Sequence, residues 1–371
     1  MAEATADSAQ AVPPLTLLEA LAPEARAELL SIAQPVSFMR GAVLLKQGAA
    51  TRGAFFIQSG SVDVTARLPG GDTLNLARIP AGGVLGEMAL LEHGLCSATV
   101  TAGTPVDGLF IGREDFRVLV ARRSPASLAV QQAITRNLCV KLSVLNAEVL
   151  ANSAAEDVLY TRPPAGDIHA KIALDPLAGV ARVRHADFDY RRFLCVLPLF
   201  REWEPEEIDE IADLAPALQL ERGQPIFFER TEPAAAFITV RGAVEVTAPA
   251  TGTASDAAAG TAVAMLRRLA ILGPGQLLGH RGLIDGTAHG ARASAREATV
   301  LLELTREHFL QLYNGSSPAA LKLQAGVHAA LLGSMAHTNA TLTRLINMAR
   351  VRAAGTAALE AALAEQAVYA S

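Results

Sequence analysis

Cysteine is scarce in this 371-residue chain, with three residues at Cys96, Cys139 and Cys195. An odd number at such wide spacing excludes a disulfide framework and a thiol pair for metal or redox chemistry. It predicts a reducing, cytoplasmic setting. No uninterrupted apolar run of about 18 residues occurs, so no membrane-spanning helix is expected. The opening MAEATADSAQAVPP has neither the basic start nor the apolar stretch of a secretion signal. Positive charge is not in excess. The net charge is -5, which gives no general attraction to nucleic acid. No Ser/His/Asp order, metal-ligand cluster or phosphate loop stands out, so no enzyme is expected and no metal is assigned. What is present is apolar material, 51% of residues against 19% charged, enough for sizeable cores.

The chain repeats itself. Arg40-Gly41 before Val43-Leu44-Leu45 matches Arg222-Gly223 before Ile226-Phe227-Phe228, an offset of 223 − 41 = 182. The same offset carries Gly60 onto Gly242 and Pro23-Glu24 onto Pro205-Glu206. Further on the offset becomes 193, which carries Gly86 onto Gly279, Arg113 onto Arg306 and Ser124-Pro125 onto Ser317-Pro318. The difference is one 11-residue insertion between about 247 and 268, an Ala/Thr/Gly-rich stretch of surface-loop composition. Within each copy, short β-rich runs such as Phe55-Phe56-Ile57 and Ser61-Val62-Asp63-Val64 alternate with glycine turns, predicting an antiparallel barrel or sandwich.

The pattern then changes to helix. Ile134, Leu138, Leu142, Leu145 and Val149 form one stripe at spacings of 4, 4, 3 and 4. Adding 193 gives Val327, Leu331, Met335, Thr338 and Leu342. Such stripes either cover their own barrel or pair with each other, in which case one chain imitates a two-subunit dimer. Ser124 and Ser317, each before a proline, are expected helix caps. Trp203, the only tryptophan, is expected to anchor the first helix of the second copy. The resulting division is a tail over 1–13, a first domain over 14–152, a linker over 153–193, a second domain over 194–350 and a helical tail over 351–371. Val180, Val183 and Phe188 of the linker have strand character without an evident place.

A short helix, a barrel, a glycine-glutamate turn and a terminal helix, over about 15–150 and again about 195–350, resemble the cyclic-nucleotide-binding family. That family includes catabolite activator proteins and protein kinase A regulatory subunits. The resemblance implies an α+β fold of two tandem jelly-roll barrels, each followed by a long helix. It also implies a phosphate-binding cassette, here Gly86, Glu87, Met88, Ala89 and, beyond a short gap, Cys96 and Ser97. Glu87 holds the place of the glutamate that accepts the ribose hydroxyl. Cys96 holds the place of the arginine that pairs with the cyclic phosphate, and it supplies no positive charge. The second cassette departs further: after Gly279, His280 replaces the glutamate and His289 the arginine. A lost charge-assisted bond costs roughly 1.5–3 kcal/mol, so the first domain is the candidate for a cyclic nucleotide and the second is disfavoured.

Two functions follow from the resemblance. One is a ligand-sensing regulatory protein; the other is a scaffold built on degenerate barrels. An unidentified protein partner, or self-association through the long helices, is implied by both. Only about 20 residues follow the last helix stripe, too few for the family's winged helix-turn-helix. Direct sequence-specific DNA binding is therefore not expected.

Overall fold

The computed structural model describes residues 18, 21–67, 73–91, 94–152, 159–160, 176–184, 191–249 and 265–369. The tail over 1–13 and most of the inserted stretch lie outside these residues. The first copy opens with helix α1 (Pro23–Ser31). Eight strands follow: β1 (Ala33–Phe38), β2 (Val43–Leu45), β3 (Gly53–Ser59), β4 (Ser61–Arg67), β5 (Thr73–Pro80), β6 (Val84–Leu85), β7 (Thr99–Ala102) and β8 (Val106–Gly112). The one-turn helix α2 (Met88–Leu91) sits between β6 and β7. Helices α3 (Arg113–Ala121) and α4 (Pro125–Ala151) complete the copy.

The strands form two antiparallel sheets ordered β1-β8-β3-β6 and β2-β7-β4-β5. This is the paired-sheet order of a jelly roll. Ile57, Val62, Val100 and Val106 fill the space between the sheets. The alternation of β7, half-buried then buried along Thr99–Ala102, is that of a strand with one wet face.

Between the copies, two short strands are β9 (Leu159–Tyr160) and β10 (Arg182–Val183). The second copy then begins with α5 (Arg191–Leu194), a 3-10 turn (Pro198–Phe200) and α6 (Pro205–Leu214). Its strands are β11 (Ala217–Leu220), β12 (Pro225–Phe227), β13 (Ala235–Arg241), β14 (Val244–Pro249), β15 (Met265–Leu272) and β16 (Leu277–Leu278). Helix α7 (His280–Asp285), β17 (Arg292–Ala295), β18 (Thr299–Thr305), α8 (Arg306–Tyr313) and α9 (Pro318–Tyr369) close the chain. The sequence offsets reappear as element offsets: β13 starts 235 − 53 = 182 residues after β3, and β17 starts 292 − 99 = 193 after β7.

The linker strands join the second copy, one to each sheet. β10 pairs with β11, and β9 pairs with β15. Val183 thus finds its strand, while Val180 packs on the second barrel's interior and Phe188 lies outside the described residues. Arg182 also forms a two-pronged ion pair with Glu303 of β18, at 2.6 and 3.0 Å. Trp203 is buried and packs edge-on against Phe200, 4.9 Å away, just before α6.

Even the helix caps are duplicated. Ser124 accepts from the Ala126 amide and bonds Glu28 of α1. Ser317 accepts from the Ala320 amide and bonds Glu210 of α6 at 2.7 Å. In each copy the helix that leads into the barrel, α1 or α6, is thereby tied to the start of the long helix.

The long helices meet. A single apolar core contains Ile134, Leu138 and Leu142 of α4 together with Val327, Leu331 and Met335 of α9. Val149 is buried and Leu342 half-buried; Leu345 is the buried residue of that last turn. Thr338 and Asn146 bond across the pair at 3.2 Å. Since 338 − 193 = 145, Asn146 sits one residue from its partner's counterpart, as in two copies related by a twofold axis. The same helices also cover their own barrels, so the stripes serve both contacts at once.

Gly60 shows how tightly the turns are built. Its φ is +84°, and a Cβ there would lie 2.1 Å from the Pro105 carbonyl oxygen. Gly60→Ala is expected to cost about 1–3 kcal/mol from backbone strain alone, and the clash adds to it. Gly41, at φ +87° with open space around it, should lose only the backbone part on substitution by alanine. Urea midpoints of the two variants check the order; equal losses would contradict it.

Candidate functional site

The two cassettes keep one backbone and carry different chemistry. Gly86 and Gly279 share the left-handed conformation, at φ +68° and +77°. In the first copy the Ala89 amide bonds the Gly86 carbonyl and the Leu90 amide bonds the Glu87 carbonyl, each at 3.0 Å, which coils the short helix α2. Met88 is half-buried, Ala89 is buried and Ser97 is exposed.

Glu87 is buried and already engaged. Lys141 of α4 donates to its Oε1 at 2.6 Å, from a side chain that is 31% exposed. The long helix therefore reaches back and holds the cassette of its own module. Nothing in the local sequence around Glu87 announces this, because the partner lies 54 residues away. The available signal is Lys141 itself, a cation between Val140 and Leu142 on a largely apolar helix.

Cys96 is half-buried. Its Sγ lies 2.8 Å from Thr51 Oγ1, and its amide and carbonyl bond Ala49 and Gly48. The residue thereby closes a loop onto the 48–51 turn. All three cysteines are free thiols, and burial pushes the Cys139 thiol up to about 12.

In the second copy His280 is buried, and neither ring nitrogen has a hydrogen-bond partner. His289 is buried and stacks on Phe227, with ring centres 3.8 Å apart and planes 10° from parallel. Burial, with the Arg281 guanidinium adding to it, lowers both imidazoles to about 4. A cavity of about 820 Å³ opens beside them, between the barrel, α9 and the α4 helix of the first copy. Leu142, Ser143 and Asn146 of α4 form part of its wall. Among the described residues, no three His, Cys, Asp or Glu side chains gather to hold a metal ion, and no helix is long and apolar enough to cross a membrane.

The comparisons agree with the barrels. The family model for the cyclic nucleotide-binding domain matches residues 35–123 and 217–316. The chain belongs to this family, with two tandem domains of it. The chain is 35% identical over 133 residues to Glutaminase 1 of Bradyrhizobium diazoefficiens, covering 36% of this chain and 21% of that protein. It is 33% identical over 115 residues to the cyclic AMP receptor protein of Thermus thermophilus, covering 31% and 48%. The matches thus span between a fifth and a half of these curated relatives. Among solved structures, the regulatory domain of Toxoplasma gondii protein kinase A with cAMP aligns over 83% of this chain and 90% of that one. Its identity is 15% and the TM-score 0.29.

Proposed function

We propose that the chain is a non-catalytic, cytoplasmic regulatory protein whose first domain is latched by its own long helix. In this reading a cyclic nucleotide acts on the first domain by taking Glu87 from Lys141, and the second domain does not take one. The carrying observation is the 2.6 Å Lys141–Glu87 bond. A ribose hydroxyl and the Lys141 ammonium compete for the same carboxylate. Release of Lys141 would free α4, which packs on α9, so occupancy would be passed to the helix pair. Three free thiols support a reducing compartment. The readout is then a protein partner or a second copy rather than DNA.

A second reading, a ligand-independent scaffold, is favoured by Cys96. A thiol bonded to Thr51 fills the place of a phosphate-binding cation.

Calorimetric titration with cyclic AMP and cyclic GMP separates the two. Lys141→Met should tighten nucleotide binding by roughly tenfold or more, since one charge-assisted bond no longer competes. Glu87→Ala should abolish it. No binding at millimolar nucleotide by either the wild type or Lys141→Met would sink the sensor reading and leave the scaffold.

A further inference from the structure

The cavity of the second domain has a lining chemistry of its own. Its charged lining residue is Arg281; three histidines, His280, His289 and His337, also line it, and no carboxylate does. Its walls are otherwise largely apolar, with Leu142, Leu199, Leu277 and Leu331 among them.

We propose that this cavity binds a small organic monoanion with an apolar body, its acid group held by Arg281 with His280 and His289.

Three observations carry the assignment. Arg281 is half-buried and has no hydrogen-bond or ion-pair partner among the described residues. A guanidinium in a largely apolar recess without a counter-charge is the binding half of an ion pair, because such a cation gains most from a bound carboxylate or phosphodiester. His280 is 7% exposed with both ring nitrogens unbonded, and buried polar groups ordinarily have partners. An acid oxygen supplies an acceptor for one of them. Finally, the volume lies within the range of small-molecule pockets, and the apolar walls fit a hydrocarbon or ring rather than a bare inorganic ion.

The imidazoles stay neutral at physiological pH, so Arg281 is the charge that a ligand meets. A dianion would leave one charge uncompensated. A ribose diol would find no carboxylate acceptor like the one in the first domain. The stacked pair of His289 on Phe227 offers a flat, preset wall beside the cation.

The test uses the full chain carrying Glu87→Gln, which silences the first domain, with octanoate, indole-3-acetate and cyclic AMP as probes. Inorganic phosphate and 1-octanol serve as controls. Octanoate or indole-3-acetate should bind with one-to-one stoichiometry by calorimetry. Adding Arg281→Gln should weaken it roughly 10- to 100-fold. A carboxylate binding best supports the assignment, and cyclic AMP binding best would overturn it. In the same titration without Arg281→Gln, the His280 and His289 ring resonances should shift on saturation, which decides the matter even if that substitution prevents folding. Absence of both heat and ring shifts at millimolar concentrations of both carboxylates would overturn the proposal. So would 1-octanol binding as tightly as octanoate, or affinity unchanged by Arg281→Gln. Because the Glu87→Gln background removes the first site, failure here leaves the latch reading untouched, and failure of the latch leaves this site untouched.

Discussion

Lowering the pH from 7 to 5 is expected to destabilise the folded chain by roughly 2 kcal/mol for each fully buried histidine. His280, His289 and His328 are the residues concerned. All three are buried, and burial lowers each to about 4 from the ordinary 6.5. Well above pH 6.5 these imidazoles are neutral in the folded and unfolded states alike, so their burial is free of any proton linkage. As the pH falls below 6.5 the unfolded chain binds protons that the folded chain refuses. Stability is therefore lost through the window from 6.5 down to about 4. Glu229 acts with the opposite sign, since burial raises its carboxyl, but it is one group against three. Denaturant midpoints at pH 7 and pH 5 measure the effect. The triple variant His280→Gln, His289→Gln, His328→Gln should flatten the difference, and a wild-type midpoint that does not move would contradict it.

The second large effect concerns the helix pair. Leu138 and Leu331 are counterparts, 331 − 138 = 193, and both are wholly buried in one core. Truncation of either to alanine should cost about 2–5 kcal/mol. The location matters more than the size. That core also holds Phe116 beside the first barrel and Phe309 beside the second. Leu138→Ala should consequently loosen both domains, and Leu331→Ala should do the same. Hydrogen exchange read separately over β3–β8 and β13–β18 checks this. Increased exchange confined to the domain that carries the substitution would show that the two halves fold independently.

The barrels were legible because each strand is a local event. Alternation, glycine turns and a fixed offset need no knowledge of distant residues, and a duplicated chain states each one twice. The caps were legible for the same reason: Ser124 and Ser317 precede proline and satisfy an amide two or three residues on. The linker strands were not, because two residues such as Arg182–Val183 have no period to read and acquire their conformation from the sheet edge they meet. The site was legible only in outline. The cassette letters gave Gly86, Glu87, Gly279, His280 and His289. The engagement of Glu87 by Lys141 depends on how α4 folds back over the barrel, and the cavity beside Arg281 depends on α4 reaching the other domain. Both are products of tertiary packing, where a helix of one copy has two neighbours and its sequence specifies neither. The second long helix runs without a break at 350, with α9 continuing to Tyr369.

The covalent union of the copies has a consequence for their history. In an assembly of two identical subunits every substitution is made twice, so a change that spoils one site spoils both. Here Glu87 and His280 occupy the same place in the two halves of one polypeptide, and each was free to change alone. The shared helix core asks the copies to stay alike, while the cassettes are under no such obligation. A duplicated chain can thus hold an old recognition site beside a new one, and retain a dimer's geometry while giving up its symmetry.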